Sequence, residues 1–140
     1  MFNAAFQPAR TGYDWLTRDE AIVDAYVADP RCGFGLDTGA AKAMFAGARR
    51  LADPSEVAAM RSGLPVYIAA GESDPVNGQL ALLTPLAERY RAAGLADVTV
   101  RTYPQARHEI LNEINNAEVI AEIGSWADRV LASDGFSRPV

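Results

Sequence analysis

Hydrophobic and polar positions change character near residue 62. Before that point the apolar spacing is helical, with Ile22, Val23, Tyr26 and Val27 on one face. Thr17, followed by Glu20 three positions on, resembles a capping box at the start of this helix. Asp29-Pro30 ends it, because the residue before a proline avoids the helical region. A weaker helical pattern runs from about Thr38 to Leu51. A short third helix is predicted from Asp53-Pro54, where aspartate caps and proline takes the first helical position. Residues 1–62 show no convincing strand.

Beyond residue 62 the period shortens. Leu64 to Gly71 is a nearly unbroken apolar run ended by glycine, the pattern of a strand buried on both faces of a parallel sheet; Pro65 is tolerable at its start. Val98 to Tyr103 alternates as a second strand. Between them Leu82 or Leu83, Leu86, Tyr90 and Ala93 recur at helical spacing. Thr84-Pro85 offers a cap and a first-turn proline, and Gly94 an exit. The whole connection is as long as a βαβ crossover requires. A last helix is predicted from Asn115 or Asn116, with Val119, Ile120, Ile123, Trp126 and Val130 as a stripe covering the sheet, before a frayed tail over residues 133–140. No internal repeat or low-complexity segment interrupts the chain. The expected fold is α/β: a helical segment over 1–62, then a sheet-bearing segment over 63–140.

The polar turn Glu72-Ser73-Asp74-Pro75 follows the first strand, and the single histidine, His108, follows the second. In open α/β sheets, chemistry gathers outside the carboxyl ends of the strands. Neighbouring strands would therefore bring Asp74 to His108, and an aspartate beside a histidine fixes its tautomer and stabilises the imidazolium. Simpler roles stand beside this one. A lone histidine is often an exposed or hydrogen-bonded loop residue, and aspartate before proline is a common turn residue. Glu72 is expected in solvent, and Arg107 paired with a carboxylate. His108 with Glu109 and Glu113 makes a poor transition-metal set, so neither metal nor cofactor is expected. Gly33-Phe34-Gly35 with Gly39 lacks the preceding strand of a phosphate loop.

The length of 140 residues suits about one domain, and 49% apolar with 22% charged residues is ordinary for a globular protein. A net charge of −5 without a basic stripe argues against a nucleic-acid partner. No apolar run approaches the roughly 18 residues of a membrane span. The amino terminus lacks the pattern of a secretory signal, and the single cysteine, Cys32, excludes an internal disulfide; both fit a cytoplasmic location.

Gly71-Glu72-Ser73-Asp74-Pro75-Val76 and Tyr103-Pro104-Gln105-Ala106-Arg107-His108-Glu109-Ile110-Leu111-Asn112-Glu113 resemble the carboxyl-terminal part of an α/β-hydrolase. The branch is that of lysophospholipases, monoacylglycerol lipases and serine aminopeptidases. Phe6 to Asp19 and Tyr26 to Phe34 resemble the helical cap of the same branch. The resemblance implies a partial α/β-hydrolase fold: a helical cap segment over 1–62 and the last two parallel strands with flanking helices over 63–140. It also implies that Asp74 is the acid and His108 the base of a Ser-His-Asp triad, with lipid-like carboxylic esters as substrates.

In this fold the nucleophile sits on a Gly-x-Ser-x-Gly elbow between a strand and a helix. The chain contains no such pentapeptide. It begins where the cap begins, so elbow and oxyanion hole are expected before Met1 and the chain alone is expected to be inactive. Two internal substitutes fit poorly. Ser73 adjoins the acid itself, and Pro75 stands where the second glycine belongs. Cys32 has the right order before Asp74 and His108, yet no strand precedes it. Phe6, Tyr13, Trp15 and Phe34 are candidates either to line an acyl pocket or to pack the cap against the core. The apolar edge of the first strand predicts a homo-oligomer or a complementing amino-terminal polypeptide. The rival reading is a non-catalytic remnant acting as a binding or interaction module.

Overall fold

The computed structural model describes residues 2–133. The elements follow as α1 (Glu20–Ala28), α2 (Thr38–Leu51), α3 (Pro54–Ala58), β1 (Val66–Gly71), α4 (Leu83–Ala92), β2 (Val98–Tyr103) and α5 (Asn116–Ser133). Short 3₁₀ turns cover Phe2–Ala5 and Ile110–Asn112. The tail expected to fray lies, apart from Ser133, outside the described residues.

Aspartates start the first three helices. Asp19 accepts from the amides of Ala21 and Ile22, Asp37 from Ala40, and Asp53 from Ser55 with Pro54 in the first helical position. The capping box expected at Thr17 is therefore not the cap of α1. Thr17 is buried two residues earlier, and its hydroxyl donates to the Asn112 carbonyl at 2.8 Å while accepting from the Asp19 amide at 3.0 Å. On the apolar face of α1 only Val23 is buried, whereas Ile22 and Val27 remain exposed.

β1 and β2 are parallel, in register from Val66 opposite Val98 to Gly71 opposite Tyr103, and α4 makes the crossover. α4 starts at Leu83 without a side-chain cap, so Thr84-Pro85 lies inside its first turn instead of opening it. Pro85 is harmless there, since the first-turn amides have no partner within the helix. Gly94 ends the crossover helix in the left-handed region, at φ +91°.

Tyr103, Ala106 and Val119 form the buried centre, with Ala69, Ile110 and Ile123 packed against it. The stripe on α5 is narrower than predicted. Val119 is fully buried, but Ile120, about 100° further round the helix, is 56% exposed. Trp126 reaches Tyr67 of β1, ring to ring at 5.3 Å. β1 also departs from a strand buried on both faces: Ala70 and Gly71 are buried, while Val66 to Ala69 are half-buried. Among the described residues the sheet has two strands, so β1 pairs only with β2.

Gly71 fixes how the two strand ends meet. A Cβ on it would collide with the main-chain carbonyls of Ala106 and Arg107. The loop after β2 thus lies directly against the end of β1, an approach only glycine allows. Gly71→Ala is expected to cost about 2 kcal/mol or more by forcing that loop away. Urea unfolding measures it, and an unchanged midpoint would contradict the packing described.

Candidate functional site

Two loops build the site. After β1, the amide of Glu72 donates to the Tyr103 carbonyl at 3.1 Å and that of Ser73 to the Ala106 carbonyl at 2.9 Å. These bonds stitch the turn to the opposite loop and place Asp74 three residues beyond Gly71. Asp74 is buried, and its Oδ1 accepts from the Val76 amide at 2.8 Å across Pro75. Its other oxygen, Oδ2, lies 3.1 Å from Nδ1 of His108.

The loop after β2 turns sharply. The Ala106 amide donates back to the Tyr103 carbonyl at 3.2 Å, with Pro104 and Gln105 between them. Gln105 stands at φ +60°, a position where glycine or asparagine is the usual choice. Ala106 is buried beneath, and His108 emerges with 38% of its side chain exposed. The imidazole borders a hollow of about 300 Å³ that it shares with Glu109, Ile110, Leu111 and Asn112.

A third segment, from the far end of the sequence, clamps this loop. The Glu109 amide donates to the Leu16 carbonyl at 2.7 Å, and the His108 amide to that of Trp15 at 3.4 Å. Arg107 donates through one guanidinium nitrogen to the carbonyls of Asp14 and Thr17, and its guanidinium lies over the Phe6 ring at 4.4 Å. Its partners are thus main-chain carbonyls and a ring, in place of the expected carboxylate. The Trp15 ring rests against the His108 imidazole, centroids 5.1 Å apart. Glu72 likewise departs from expectation: it is half-buried and accepts from the Thr102 hydroxyl at 2.9 Å.

The remaining candidates are distributed. Tyr13 packs on Tyr26 and donates to the Gly33 carbonyl, while Phe34 is 73% exposed. Of the four aromatic candidates, Trp15 is the one placed against His108, and Phe6 reaches the site only through Arg107. Ser73 is half-buried beside Asp74. Cys32 lies in the turn after α1, its amide bonded to the Asp29 carbonyl at 2.9 Å. Glu113 is buried and takes its partners from Arg18 and neighbouring amides. Among the described residues no group of three or more potential metal ligands is gathered. Sequence reading missed Arg18, Glu113 and the Trp15–His108 contact. Arg18 and Glu113 stand 95 positions apart, and no local pattern joins them.

An acid after one parallel strand, bonded to a histidine after the next at their shared carboxyl end, sits on the framework of an α/β-hydrolase fold. The chain belongs to the serine aminopeptidase, S33, family, whose pattern matches residues 3–115. It is 31% identical over 117 residues to a monoacylglycerol lipase of Mycolicibacterium smegmatis, covering 81% of this chain and 38% of that protein. Its fold is similar to that of a highly thermostable carboxyl esterase from Bacillus coagulans, solved in complex with glycerol. That likeness has a TM-score of 0.77 at 22% identity and covers 93% of this chain and 43% of the esterase. The chain therefore spans about two fifths of the length of these relatives.

Asp14 supports the clamp from below. Burial opposes its charge, but the Thr11 hydroxyl and the amides of Thr11 and Arg10 all donate to it, and its pKa falls below the ordinary 3.8. The folded form therefore holds the ionised carboxylate better than the unfolded chain does. That stability is complete well above pH 3.8 and is lost as pH falls through the folded value, since the unfolded chain takes the proton first. Asp14→Asn should lower the melting temperature at neutral pH, and its gap from the native protein should narrow as the pH is taken to about 3. A gap that stays constant across melts over that range would contradict this account.

Proposed function

We propose that Asp74 and His108 are the acid and base of a Ser-His-Asp triad acting on carboxylic esters of lipid-like alcohols, monoacylglycerols or lysophospholipids. The observation that carries this is the 3.1 Å bond between Nδ1 of His108 and Oδ2 of Asp74. With its proton on Nδ1, His108 presents Nε2 as the basic atom. Nε2 takes the proton of a serine hydroxyl as that oxygen attacks the ester carbonyl, and returns it to the departing alkoxide. A water then repeats the sequence on the acyl-enzyme, releasing the acid and freeing the serine. Buried Asp74 holds the ring in this tautomer and offsets the imidazolium charge. The substrate class draws support from the relative named a monoacylglycerol lipase. Trp15, against the imidazole, is the aromatic residue best placed to border the acyl group.

Residues 1–62 serve in this reading as the cap segment and 63–140 as the carboxyl-terminal part of the core. The nucleophile comes from outside these 140 residues, which hold no Gly-x-Ser-x-Gly. That same feature favours a second reading, in which the chain is a non-catalytic binding or interaction module.

Incubated alone with a fluorophosphonate probe, the chain should remain unlabelled. Mixed with a polypeptide that carries a Gly-x-Ser-x-Gly elbow and completes the sheet, it should gain label and monoacylglycerol hydrolysis. His108→Ala should then lower turnover by about 10³-fold or more. If the mixture gains nothing, the binding-module reading takes over.

Among the described residues no strand pairs with the β1 edge away from β2, and that edge, flanked by apolar side chains, is a template for another strand. We expect a dimer or larger oligomer by light scattering; a monomer at high concentration would count against it.

A further inference from the structure

The Glu113 carboxylate is wholly buried and accepts four hydrogen bonds. Oε1 takes the main-chain amides of Arg107 at 2.7 Å and Arg18 at 3.2 Å. Oε2 takes the Arg18 Nε at 2.8 Å and the Ile114 amide at 3.2 Å. The Arg18 side chain is 20% exposed, and its Nη2 continues to the Asn115 side chain at 2.8 Å. A charge this deep is tolerable only with a near-complete shell of donors, and removing any of them leaves an expensive unpaired group. The shell is drawn from three places: Arg18 of the amino-terminal loop, the residue before His108, and the start of the segment leading into α5. Glu113 therefore fixes the backbone on one side of the imidazole, while Trp15 and Leu16 hold it from the other.

We propose that Glu113 is a positioning residue, which sets the direction of the His108 imidazole toward Asp74 through the amide of Arg107. The proposal deepens the triad reading and rests on it for its catalytic meaning, but the geometry it describes can be measured without turnover. Substituting glutamine replaces one acceptor oxygen by a donor NH₂ that must face other donors, so at least one pair of the four bonds is lost. The loop then slackens, and the ring is free to leave Oδ2 of Asp74.

His108 is the only histidine of the chain, so its ring nitrogens give one unambiguous set of signals in long-range ¹H–¹⁵N spectra. Above the imidazole titration the native protein should show a single tautomer, protonated at Nδ1. Glu113→Gln should lose that pattern and show averaged tautomers. Val57→Ala, which removes buried volume in α3, should lower the melting temperature yet keep the single tautomer. The proposal is overturned if folded E113Q keeps the native pattern, or if V57A loses it as completely. Should E113Q fail to fold, Arg18→Met removes two donors at a partly exposed site and should partly average the tautomers; an unchanged pattern there overturns the proposal. Asp74→Asn separates the two levels. Loss of the pattern in D74N with retention in E113Q defeats the positioning role alone, whereas retention in both defeats the pairing on which the triad reading stands.

Discussion

The meeting of Asp74 and His108 depends on backbone lying against backbone at Gly71. No side chain intervenes there, so the loop after β2 can drop onto the end of β1 and bond to it through Glu72 and Ser73. In-register parallel pairing of β1 with β2 brings the strand ends level, and the close approach then sets the loops face to face. Everything chemically interesting in the molecule hangs from that contact.

A second hold comes from the opposite end of the sequence. Carbonyls from Asp14 to Thr17 accept from Arg107, His108 and Glu109, while Thr17 and Arg18 reach Asn112 and Glu113. Buried polar groups this well partnered favour one arrangement strongly, since each alternative strands a donor or an acceptor away from water. Asp14 is one example, with its charge favoured despite burial. Tyr103 is another kind: burial pushes its phenol pKa upward, keeping it a neutral core residue beside Tyr67.

Much of this was legible in the sequence where a local rule governed the outcome. The aspartate before α3, the apolar run of β1, the alternation of β2 and the glycine ending α4 each answer to neighbours within a few positions. The acid and the histidine could be placed because strand ends define a site in such sheets. What escaped was decided by distant partners. Thr17 looks like a cap until Asn112 claims its hydroxyl, and Arg107 looks like half of an ion pair until the carbonyls of Asp14 and Thr17 take it. Glu113, weighed in the sequence only as part of a poor metal set with His108, is a buried structural carboxylate. Ile120 failed for a simpler reason: a broad apolar stripe on a helix does not say which of two adjacent residues faces inward.

The bonds joining Thr17 to Asn112 and Arg18 to Glu113 each close a loop spanning 95 positions. Ordering so long a stretch is entropically costly, and contacts this remote slow the approach to the native state. The strand pair and its crossover helix can form from a segment less than half as long. By this argument the surroundings of the histidine form after the strand pair, once residues 14–18 have met residues 107–113.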